Sequence, residues 1–60
     1  MQFVYTTDPG THDFCESIGM PLLSTHISEK TVFWCFVLTE EFQNAKHEGL
    51  HYCISDSLLF

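Results

Sequence analysis

The unbroken apolar run Val32-Phe33-Trp34-Cys35-Phe36-Val37-Leu38 restricts this chain more than any other feature. Its β-branched and aromatic side chains favour extended backbone. A strand with one solvated face alternates apolar and polar residues, and this one does not, so both of its faces need cover. The run is far short of the roughly 20 apolar residues that span a bilayer. Met1 to Thr7 carries no basic cluster of the kind that opens a signal peptide.

The flanking residues turn this strand into a hairpin. Leu23, Thr25 and Ile27 alternate with Ser24 and His26, and Ser28-Glu29-Lys30 is a polar turn leading into Thr31 to Leu38. Upstream, Gln2 to Thr6 has strand propensity and Asp8-Pro9-Gly10 signals a turn. Asp13 followed by Glu16 has N-cap and N3 chemistry, Phe14, Cys15 and Ile18 share a helical face, and Gly19 then Pro21 stop that helix. Downstream, Thr39 caps a second helix whose first turn holds Glu40 and Glu41 at the positive end of the dipole, with Gly49 closing it. Leu50, Tyr52 and Ile54 then alternate with His51 and Cys53 as a last strand.

These elements predict one α+β domain over residues 1–60, a mostly antiparallel sheet with two short helices on one face. The order βαββαβ is that of the ferredoxin-like split βαβ arrangement. The alternative is a βββα or ββα variant in which residues 12–19 are a loop. Two helices this short cover one sheet face, so the other would display either Val32, Trp34, Phe36 and Leu38 or Phe33, Cys35 and Val37. A contrasting expectation is that Ser57-Leu58-Leu59-Phe60 folds back over that face. An exposed aromatic face marks an interface. Val32, Trp34 and Phe36 are accordingly the expected partner-binding anchors, with Glu40 and Glu41 steering the approach.

Length and charge narrow the function classes. With 60 residues the chain is read as a complete single domain, and its 15 % aromatic and 45 % hydrophobic content argues against disorder. Eight carboxylates against Lys30 and Lys46 give a formal charge of -6, which repels phosphate backbones and favours a basic protein partner. Direct nucleic-acid binding and membrane insertion are therefore not expected. Three widely spaced cysteines, Cys15, Cys35 and Cys53, read as reduced thiols in a cytoplasm. Small acidic inhibitors made by phages and other mobile elements use such a surface to imitate nucleic-acid phosphates. The expected function is thus a non-enzymatic inhibitor or adaptor that binds another protein, with a homodimer and a nucleic-acid mimic as narrower forms.

Two chemical readings compete with it. His47-Glu48-Gly49-Leu50-His51 matches the HExxH pattern and resembles the zincin motif, in which two histidines one helical turn apart hold zinc and the glutamate acts as general base. Gly49 is more natural at a helix end than inside one, and no third ligand follows. Alternatively, the expected topology brings His12, Cys15, His47 and His51 toward one place as a structural zinc set. The opposing reading is ordinary polar histidines and a buried thiol. No Gly-rich phosphate loop or nucleophile elbow is present.

Overall fold

The computed structural model describes residues 1–45 and 48–57. In chain order it contains β1 (Phe3–Thr6), α1 (Pro9–Ser17), β2 (Leu22–Ser28), β3 (Thr31–Val37), α2 (Glu40–Asn44) and β4 (Cys53–Ser55). The four strands form one antiparallel sheet in the order β2-β3-β1-β4, so the α+β class with an antiparallel sheet holds.

Register explains how the apolar run is consumed. Val4 lies opposite Phe36 and Thr6 opposite Trp34 on one face, whereas Phe3 lies opposite Val37 and Tyr5 opposite Cys35 on the other. On the first face Val4 and Phe36 join Cys15 of α1, Met20 and Phe42 of α2 in a buried cluster, with Trp34, Leu38, Leu50 and Tyr52 packed against it. Phe42 meets Tyr52 edge to face at 4.9 Å and Phe14 at 6.2 Å. On the second face Phe3, Tyr5 and Cys35 form a separate buried cluster. Both faces of β3 are therefore covered, as its lack of alternation requires. Tyr5 Oη donates to the carbonyl of Ser57 at 2.9 Å on this second face. The rest of the anticipated C-terminal cover, residues 58–60, lies outside the described residues.

Several boundaries differ from expectation. The first helix begins at Pro9 under an Asp8 cap, not under Asp13. The Asp8 carboxylate accepts from the backbone N–H of Thr11 at 3.0 Å, and Pro9 occupies a position whose N–H would have had no intrahelical partner. An Asp-Pro pair read as a turn is in fact a helix start. The helix end is as expected: Gly19 sits at φ 76°, its N–H donates to Glu16 O, and Met20 N–H donates to Cys15 O, which is a Schellman closure.

The second helix stops at Asn44, well before Gly49, because Ala45 is already extended at ψ 158°. Thr39 caps it as anticipated, accepting from Phe42 N–H at 3.4 Å. The last strand starts at Cys53, not Leu50. Leu50 and Tyr52 still pack on the core, but the backbone of His51 is held by threonine side chains instead of a strand partner.

Candidate interaction surfaces

The sequence-predicted anchors fall in three different environments. Phe36 is 0 % exposed at the centre of the helix-side core and cannot contact a partner, which corrects the expectation that it lies on an open face. Trp34 is half-buried under α1, its ring 4.4 Å from that of His12. Val32 is half-buried opposite Ile27, near the open edge of the sheet. The helices settle on the Trp34 and Phe36 side because Cys15 and Phe42 supply the apolar surface that fills the space above Val4. Glu40 and Glu41 are exposed in the first turn of α2.

The exposed acid extends beyond that turn. Asp13 and Glu16 are exposed on α1, and neither helix carries a Lys or Arg. His12 is turned toward this acid: Nδ1 lies 3.1 Å from Asp13 Oδ1 and Nε2 lies 2.6 Å from Glu16 Oε1. Because α1 and α2 pack on one core cluster, their four carboxylates belong to a single helical layer.

The anticipated metal set is dispersed in character. Cys15 is completely buried among Val4, Phe36 and Phe42, and burial pushes its thiol pKa up, which opposes the thiolate that zinc needs. Both ring nitrogens of His12 face carboxylates, His51 is exposed, and His47 lies outside the described residues. Among the described residues no group of three metal-ligating side chains gathers. The described part of the HExxH string, Glu48 to His51, is not on a helix either: α2 ends at Asn44 and Glu48-Gly49 is a turn with Gly49 at φ 77°.

One polar constellation escaped sequence reading. Thr6 Oγ1 donates to His51 O at 2.6 Å and accepts from Asp8 N–H at 3.0 Å. Thr11 Oγ1 donates to Asp8 Oδ2 at 2.7 Å and accepts from His51 N–H at 2.9 Å. Thr6 and Thr11 are buried, so water competes less for these part-buried bonds than it would at the open surface. Together they tie β1, the start of α1 and the segment entering β4. The two hydrogen bonds from Thr11, with a smaller contribution from His51, hold the Asp8 carboxyl below its ordinary pKa. Only Asp-Pro followed by a threonine at the third helical position hinted at this in the sequence.

Beside this constellation lies an open, largely apolar cavity of about 390 Å³, lined by Tyr5, Thr6, Thr7, Phe33, His51, Tyr52 and Cys53. All three cysteines are free thiols, and Cys53 is the exposed one. Among the described residues no helix is long and apolar enough to cross a membrane. No known protein family, curated protein or solved structure matches the chain.

Proposed function

We propose that this protein is a small, non-enzymatic binding module, an inhibitor or adaptor whose acidic helical layer engages a partner protein with a basic surface. We read its architecture as the ferredoxin-like split βαβ order, a reading supported by the strand order β2-β3-β1-β4 with both helices on one core cluster. The observation that carries the functional proposal is the grouping of Asp13, Glu16, Glu40 and Glu41, all exposed, on two helices without a single Lys or Arg. Such a field steers association with a cationic surface and repels phosphate backbones.

The corrected position of Phe36 changes how this binding works. Contact would be made by rim charges over Trp34 and His12, so electrostatics dominate and salt weakens capture. The test compares tagged wild-type protein with an Asp13→Asn, Glu16→Gln, Glu40→Gln, Glu41→Gln variant in a native lysate at about 50 and about 300 mM salt. Wild-type protein is expected to retain a basic partner at low salt and release it at high salt, and the neutralised variant to retain none. Equal capture by both proteins, or capture indifferent to salt, would overturn the proposal.

A further inference from the structure

Among the described residues each of the two edge strands, β2 and β4, is paired on one side only, and β2 is the longer of them. β2 runs over seven residues, Leu22–Ser28, and nearly every residue in it is exposed. Leu22, Leu23 and Ile27 are 45 %, 47 % and 68 % exposed. Natural edge strands are guarded by lysines, inward charges, cover or brevity. None of these applies along β2: no Asp, Glu, Lys or Arg occurs between Glu16 and Glu29. Pro21 and the irregular register between Leu22 and Ser24 affect only its first residues.

We infer that β2 is a self-association edge, on which a second copy of this chain pairs antiparallel to extend the sheet from four strands to eight. This goes beyond the acidic helical layer and does not depend on it.

Backbone alternation supports the pairing. Ser28 and Thr31 close the two-residue turn, and in an antiparallel ladder alternate residues aim their N–H and C=O away from the existing partner strand. Thr25 and Ile27 therefore present these groups to the outside. A two-fold axis at Thr25 sets Thr25 against its copy and carries Ile27 toward the second copy's Leu23, which lies in the irregular stretch of β2, so exposed apolar side chains approach one another twice. The same register sets Glu29 opposite the second copy's Pro21, which carries no charge.

Charge selects the occupant. Two copies carrying -6 each repel wherever their carboxylates face one another, and β2 is a long exposed edge on which they do not. A basic partner has no reason to choose an uncharged strand when the helical layer offers four carboxylates. The footprint is modest: seven strand residues span roughly 24 Å, and the molecule is 16 Å across its shortest axis. That lies below the ~800 Å² per partner of a standard interface, so the dimer is weak and reversible.

Sedimentation equilibrium from about 5 µM to about 1 mM tests this. The mass average should rise from 6.9 kDa toward twice that value. Association should tighten between about 50 and about 500 mM salt as repulsion is screened, opposite to capture of a basic partner. Ile27→Lys, or Leu23→Lys if the first variant loses its circular dichroism, should remain monomeric throughout with an unchanged melting temperature. A wild-type mass fixed at 6.9 kDa over the whole range would sink the inference. So would a folded Ile27→Lys protein that dimerises as well as wild type, because the contact would then lie on another surface.

Discussion

The two edges of this sheet are held in opposite ways. β4 is three residues long and joined to β1 at Phe3, Val4 and Tyr5, and the chain on either side of it is fastened by side chains: Thr6 and Thr11 grip His51, and Tyr5 grips Ser57. β2 is seven residues long and is held through its ladder to β3, with no strand on its outer side among the described residues. A three-residue edge has little backbone to offer. A long edge secured from one side has a whole row. The difference shows that side-chain hydrogen bonds on the flanking segments fasten an edge whose own ladder is only three residues long.

Breaking the stitching should have the largest effect. Thr11→Val keeps the shape of the side chain but leaves His51 N–H without its acceptor and removes one donor to Asp8. The expected loss is about 1 to 3 kcal/mol, the usual cost of orphaning a buried donor. In a domain of this size each kcal/mol lowers the melting temperature by about 4 to 8 °C. Ile27→Ala on the open edge should stay within about 0.5 kcal/mol when measured at monomer concentrations. Thermal melts of both variants check the contrast, and equal losses would erase it.

The β2 edge can be sharpened from its turn. Glu29 adopts φ 56°, a left-handed conformation that disfavours residues with a Cβ. Glu29→Gly relieves that strain at some cost in unfolded-chain entropy, so a net gain of up to about 1 kcal/mol is expected, read as a higher urea midpoint. A lower midpoint would mean that the Glu29 side chain contributes more than its backbone loses.

The smallest expected effect is the acid response of the stitched edge. The folded pKa of Asp8 is lowered, chiefly by the Thr11 hydrogen bonds. The unfolded chain therefore takes up the proton first: the stabilisation is present above the ordinary carboxylate pKa and is lost as pH falls through the lower folded value. Melting temperature measured from about pH 6 to about pH 2 should fall at the acid end, and Asp8→Asn, which still caps the helix, should fall less. Identical acid limbs would remove Asp8 from the account.

What was legible in the sequence was whatever is encoded locally. The run Val32 to Leu38 announced a strand covered on both faces, Gly19 announced a helix end by its left-handed backbone, and Thr39 announced a cap through a hydroxyl three residues from its donor. Asp8-Pro9 was misread because a turn and a helix start share the same first residues. The local Asp8 cap is joined there by a tertiary contact, Thr11 accepting from His51 N–H, that adds to the helical outcome.

Alternation likewise could not say which face of β3 meets the helices, because both faces are apolar. That choice fell to register: pairing Val4 with Phe36 and Thr6 with Trp34 put these residues under Cys15 and Phe42 and turned an expected anchor into core. The sequence by itself determined the α+β class, the hairpin, the Thr39 cap, the Gly19 helix end and the strong negative charge, since these rest on neighbours within a few residues and on simple composition. Tertiary structure alone decided that Phe36 is buried, that the segment before β4 is held by hydroxyls 40 or more residues away, and that Ile27 faces water. Burial and edge position depend on which strands become neighbours, and strand order is a property of the whole chain.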